Sequence, residues 1–163
     1  MSYDPVANAI YAVDWGSGNN DPVGFFKIDP DTGNRTVLSN IGQGGVFRQI
    51  DVSATKGALY STAAYQSSLT VVKLSDGTRS GGPSISEPQA VAASDALNSI
   101  FAVDKGGALI AFEGSALTSR TVAHLGGGPG FSVGGDLLFI YDGTLGGVAV
   151  FDPQSGERIV VSR

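Results

Sequence analysis

The sequence predicts an all-β chain built from about four units of four antiparallel strands each. A strand-like segment recurs, a turn motif recurs at a matching spacing, and no segment sustains the 3.6-residue periodicity of an amphipathic helix. The recurring strand is Ile10-Tyr11-Ala12-Val13-Asp14, which returns as Ile100-Phe101-Ala102-Val103-Asp104. Weaker copies are Leu59-Tyr60-Ser61-Thr62-Ala63 and Leu138-Phe139-Ile140-Tyr141-Asp142. Their aromatic positions, 11, 60, 101 and 139, step by 49, 41 and 38 residues.

The turn motif follows each strand. Phe26-Lys27-Ile28-Asp29-Pro30-Asp31-Thr32-Gly33 near the start matches Val150-Phe151-Asp152-Pro153-Gln154-Ser155-Gly156 at the end. Asp29 and Asp152 are 123 residues apart, three periods of 41. A degenerate copy is Lys73-Leu74-Ser75-Asp76-Gly77, and the third unit keeps Ala111-Phe112-Glu113-Gly114. Proline presets the backbone of a tight turn and glycine supplies the left-handed residue where the next strand resumes, so the motif reads as a hairpin loop. In the second unit the strands are expected at Gln49 to Ser53, Ala58 to Thr62, Leu69 to Leu74, and weakly at Thr78 to Ser80. Four strands in about 40 residues is the size of one β-propeller blade. The expected units are 1–40, 41–82, 83–126 and 127–163.

Two stretches carry a family resemblance. Asp29-Pro30-Asp31-Thr32-Gly33-Asn34-Arg35-Thr36-Val37 and Val148-Ala149-Val150-Phe151-Asp152-Pro153-Gln154-Ser155-Gly156-Glu157-Arg158-Ile159-Val160 resemble the bacterial propeller repeats related to NHL repeats. In that family an aliphatic strand ending in Asp leads to a strand ending in Asp-Pro, then Thr-Gly and an Arg-Thr-Val outer strand. The resemblance spans nearly the whole chain and is clearest in the first and last units. It implies a scaffold, and such propellers serve as enzymes, lyases and passive binding surfaces alike.

Composition narrows the function classes. The chain has 163 residues, 42% of them hydrophobic and 15% charged, with a mean hydropathy of +0.11, which supports a packed core rather than disorder. No apolar run approaches the roughly 18 residues of a membrane helix, and Met1-Ser2-Tyr3-Asp4-Pro5 lacks the pattern of a signal peptide, so a soluble chain is expected. A net charge of −5 and a pI of about 4.6 disfavour nucleic acid as a partner. With 0 Cys and 1 His (His124), disulfides, thiolate chemistry and multi-histidine metal sites are excluded. No cofactor is implied. Asp29-Pro30-Asp31-Thr32-Gly33 lacks the ligand pattern of a calcium loop, and the glycine clusters lack the helix and Lys-Ser/Thr pair of a phosphate loop. Asn34-Arg35-Thr36 fits a glycosylation acceptor, which matters only in a glycosylating pathway.

Strand alternation fixes which loops share a face. With strands a to d running outward from the axis, the b–c loops and the connections between blades emerge together. The b–c loops carry Asp14 and Trp15, then Tyr65, Asp104 and Asp142; the connections carry Arg48 and Glu87. Gly81-Gly82-Pro83 is expected in such a connection. Asp14, Asp104 and Asp142 could ring an axis and hold a hard cation, or each could bond the amides of its own turn. Trp15 could stack on a ligand or fold over its own blade. Arg48 and Glu87 could line a channel or form an ordinary interblade ion pair. His124 falls in an outer-strand region with no evident catalytic partner.

The expected function is a noncatalytic scaffold that binds a protein, peptide or carbohydrate through this face. The alternative is a metal-dependent hydrolase or lyase resembling gluconolactonase or the streptogramin lyases. Four units with no strand left over also predict an incomplete ring, finished by further blades or by self-association.

Overall fold

A computed structural model describes residues 1–14, 23–42, 46–125, 130–143 and 145–162. These residues form sixteen strands in four antiparallel sheets and no helix. Blade 1 contains β1 (Ser2–Asp4), β2 (Ala9–Asp14), β3 (Val23–Ile28) and β4 (Arg35–Gly42). Blade 2 contains β5 (Phe47–Ser53), β6 (Ala58–Ala63), β7 (Ser68–Lys73) and β8 (Arg79–Ser84). Blade 3 contains β9 (Ala90–Ser94), β10 (Ser99–Val103), β11 (Ala108–Glu113) and β12 (Thr118–His124). Blade 4 contains β13 (Phe131–Gly134), β14 (Leu137–Asp142), β15 (Gly147–Phe151) and β16 (Arg158–Ser162). Each sheet runs through its strands in sequence order, and β1, β5, β9 and β13 are neighbours in that order, so the blades succeed one another around an axis.

The aliphatic–aromatic pair in each b strand builds the seams between blades. Neighbouring residues on a strand point to opposite faces, so one member of the pair meets the preceding blade and the other the following blade. Leu59, Ile100 and Leu138 are 0% exposed against the preceding blade. Tyr11, Tyr60 and Phe101 are at most 3% exposed against the following one. Three apolar clusters result. Tyr11 and Phe25 meet Ile50, Leu59 and Val72; Tyr60 and Leu69 meet Ile100 and Phe112; Phe101 and Leu109 meet Leu138 and Phe151.

Polar bonds tie the inner strands together on the same seams. The Ser2 hydroxyl donates to Asp51 Oδ1 and accepts the Val52 N–H at 3.2 Å. Asp51 Oδ2 accepts the Ala93 N–H from blade 3 at 2.8 Å, so one carboxylate joins three blades. The pairing of third with fourth strand is broken by a bulge in every blade, which adds twist toward the outer edge.

One expected loop is strand. Gly81, Gly82 and Pro83 belong to β8, not to the connection that their composition suggests. An outer strand tolerates proline because its N–H need not pair, and a side chain at Gly82 would press on Val71 and on the Leu69 carbonyl. The glycine there reflects close packing of β8 on β7.

Candidate functional site

The b–c loops and interblade connections share one end of the blades, where blade 2 exposes Arg48 and Tyr65. Arg48 lies inside β5 rather than before it. It is the extra residue of a bulge: Phe47 pairs with Ala63 and Gln49 with Thr62, which leaves Arg48 unpaired and turned to solvent. Tyr65, in the β6–β7 loop, is 88% exposed and has a left-handed backbone with φ of 63°. The adjoining Ala64 N–H donates to the Val46 carbonyl at 2.8 Å, which fixes the loop against the connection that delivers Arg48. A guanidinium and a phenol ring thus stand at the same end of one blade.

Glu87 occupies the β8–β9 connection, also left-handed, with φ of 42°. Its carboxylate meets Lys105 Nζ, the Oε2 contact being 3.0 Å. Gln89 reinforces the arrangement: its side-chain amide donates to the Glu87 carbonyl at 2.7 Å and its N–H to the Val103 carbonyl at 2.8 Å. Lys105 stood in the same loop as Asp104 in the sequence, but only the fold brings it to Glu87.

Two of the recurring aspartates serve their own turns. Asp104 Oδ1 accepts the Ala108 N–H at 2.8 Å. Asp142, buried, accepts the Leu145 N–H at 3.3 Å and lies 3.6 Å from the Arg158 guanidinium. Asp14 ends β2 opposite Gly24, beside Phe26 and Arg35 on the face of blade 1 turned away from blade 2. Trp15 lies outside the described residues. Among the described residues no three His, Asp or Glu side chains converge as a cation site.

The opposite end holds residues that sequence reading passed over. Asp95, in the a–b turn of blade 3, accepts the Ser53 and Thr55 hydroxyls at 2.5 and 2.7 Å and the N–H groups of Ala54 and Thr55. Burial works to raise the carboxyl pKa, but these four bonds outweigh it and hold the group below the usual value. Lys56 Nζ crosses the same seam to Asn98 Oδ1 at 2.6 Å and the Gly114 carbonyl at 3.0 Å. Their signal in the sequence was weak, because each acts between units and not within one.

The fold is that of a β-propeller, with four blades of four antiparallel strands. No protein-family model matches this sequence, and neither does any curated protein sequence. Solved structures match its fold. TolB from Acinetobacter baumannii aligns with a TM-score of 0.75 at 14% identity, over 99% of this chain and 42% of that one. A gluconolactonase from Xanthomonas campestris aligns with a TM-score of 0.68 at 18% identity, over 96% of this chain and 58% of that one. A chain of a nidogen/laminin complex aligns with a TM-score of 0.64 at 12% identity, over 97% and 76%. The chain therefore spans about half the length of the first two.

Proposed function

We propose that this chain is a noncatalytic binding scaffold, akin to bacterial NHL-like repeat propellers, whose b–c loop and connection face captures a protein or peptide. The observation that carries this reading is Tyr65, an almost fully exposed aromatic on a left-handed backbone beside the bulge that turns out Arg48. A non-glycine residue with positive φ is uncommon and costs stability unless its surroundings impose it. Tyr and Arg are also the residues that most often carry binding energy at protein interfaces. A carbohydrate could stack on the same ring, but the Arg48 and Lys105 cations and the Glu87 carboxylate suit a charged peptide better.

The metal-dependent enzyme reading needs convergent carboxylates. Asp104 and Asp142 are instead engaged by their turns, and among the described residues no three His, Asp or Glu side chains converge. The test is to pan a displayed random dodecapeptide library on the purified chain and to repeat it with Tyr65→Ala and Arg48→Ala. Enrichment of charged peptides that both variants lose supports the reading. No enrichment, or peptides indifferent to both variants, refutes it. A stoichiometric divalent metal whose removal by EDTA lowers the melting temperature would instead favour the enzyme.

A further inference from the structure

Blades 1 and 4 each present one face that no other blade covers. On blade 1 it carries Tyr3, Ile10, Phe26, Ile28 and Val37, paired across the sheet as Tyr3–Ile10–Ile28 and Phe26–Val37. On blade 4 it carries Phe139, Tyr141, Val148, Val150 and Ile159, paired as Phe139–Val150–Ile159 and Tyr141–Val148. These are not arbitrary apolar patches. Ile10 holds the repeat position of the wholly buried Leu59, Ile100 and Leu138, yet it is half-buried. Phe139 holds the position of Tyr11, Tyr60 and Phe101, yet it is 40% exposed. Tyr3 and Ile159 are exposed as well, at 53% and 71%, so the two faces are not buried on one another within the molecule. One face repeats the leading side of every internal seam and the other repeats the trailing side.

A polar rule points the same way. At two of the three internal seams the inner-strand residue opposite the aromatic lends an oxygen to an N–H of the next blade, Ser2 to Val52 and Asp51 to Ala93; at the third seam that position is Ala92, which carries no side-chain oxygen. The donor N–H groups belong to residues opposite the aliphatic member, Val52 pairing with Leu59 and Ala93 with Ile100. In blade 4 the oxygen-bearing residue opposite Phe139 is Ser132, exposed on the uncovered face. The residue opposite Ile10 is Tyr3. Ser132 and Tyr3 thus hold the positions that meet at the first two seams.

We infer that two copies of this chain join head to tail, the blade 4 face of each against the blade 1 face of the other, to close one eight-bladed ring. The contact uses two different surfaces, so it makes a ring only where the rotation closes. Each copy adds four blades, and rings of about four to eight blades are the usual range. Four are ruled out by the exposed end faces, and three copies would exceed the range; two copies give eight. The arc also superposes on a part of longer propeller chains, as a segment of a larger ring should. In the closed ring, the Ser132 hydroxyl of one copy accepts the Tyr3 N–H of the other. The inference is independent of the binding role of Tyr65 and Arg48, which lie outside both faces.

The test is the mass of this 163-residue chain by light scattering over a range of concentrations, with circular dichroism confirming strand content. The expected value is twice 16.6 kDa. Phe139→Arg and Ile28→Arg should each shift the mass toward 16.6 kDa with strand content kept, and an equimolar mixture of the two should regain dimer, because each retains the face that the other needs. Tyr65→Ala should leave the mass unchanged. A folded wild-type monomer, or assemblies that grow without limit, would overturn the inference. So would a dimer lost with Phe139→Arg but untouched by Ile28→Arg, which marks a back-to-back contact. If either variant fails to fold, the wild-type mass alone still decides between ring and monomer.

Discussion

Asp95 of the third blade accepts the hydroxyl of Ser53 of the second at 2.5 Å, the short distance expected when a hydroxyl donates to a charged carboxylate. The contact joins equivalent turns of successive blades, and Asp95 also receives the Thr55 hydroxyl and two backbone N–H groups from the same neighbour. Asp95→Ala should therefore destabilise the chain by about 1–2 kcal/mol, the loss of several charge-assisted bonds reduced by the solvent that reaches the carboxylate. Asp95→Asn, which keeps an acceptor, should cost less. Urea denaturation measures both, and equal stability of Asp95→Ala and wild type would show that the seam does not depend on this residue.

The same carboxylate sets a direction for pH. The folded-state pKa of Asp95 lies below its unfolded value, so the folded chain binds fewer protons. Its contribution is fully present above the ordinary carboxylate range and is lost as the pH falls through the folded pKa. Asp29, Asp76 and Asp152 act in the same sense. For Asp29 and Asp76 the leading cause is a backbone N–H, from Asp31 and Thr78; for Asp152 it is the Ser155 hydroxyl. Melting temperature should stay level near neutrality and fall as the pH drops through and below the carboxylate range. The Asp95→Asn variant should show a shallower acid slope than wild type. Parallel slopes would contradict the assignment.

Two kinds of turn glycine should respond differently. Gly33 and Gly156 hold left-handed turns, with φ of 73° and 76°, and a Cβ there meets no crowding atom. Alanine at either should cost about 1 kcal/mol from backbone strain alone. Gly77 is also left-handed, with φ of 70°, but a Cβ would run into the Leu38 carbonyl of the preceding blade. Gly77→Ala should cost about 2–4 kcal/mol, because strain adds to a forced shift of the seam. Denaturation midpoints that rank Gly77→Ala no worse than Gly33→Ala would argue against so close an approach.

How much could be read from the sequence follows from how local each feature is. The strand repeat and the Asp29 and Asp152 turns are written within single units, so their periodicity exposed the fold. The Asp29 N–H and Gly33 N–H close that hairpin on the Asn34 and Asp29 carbonyls at 2.9 and 2.8 Å, a bond pattern that Asp152 and Gly156 repeat. A bulge leaves no mark on local composition, so the sequence alone places Arg48 in a connection, and outer-strand packing also favours glycine, so Gly81-Gly82-Pro83 reads as a loop. Asp51, Asp95 and Lys56 join different blades, and no pattern within one unit encodes a partner about 40 residues away. Lys105 was hidden for the same reason, since its partner Glu87 stands in another loop.

Tyr65 provides a test that separates a binding role from a structural one. Its ring is almost wholly in solvent, so removing the side chain forfeits little packing, and its φ of 63° suits glycine better than any L-residue with a Cβ. If the residue were kept for the fold, Tyr65→Gly should destabilise. The geometry predicts the reverse: relief of left-handed strain offsets the extra backbone entropy of glycine in the unfolded chain, leaving stability unchanged or raised by up to about 1 kcal/mol. Peptides captured by the wild type should at the same time lose about tenfold or more in affinity, the penalty for removing an aromatic anchor. Thermal melts and titration of one enriched peptide against both proteins check the two halves. A variant that is less stable and still binds would assign Tyr65 to the loop structure, whereas a gain in stability with a loss of binding marks a residue held in a strained conformation for contact with a partner.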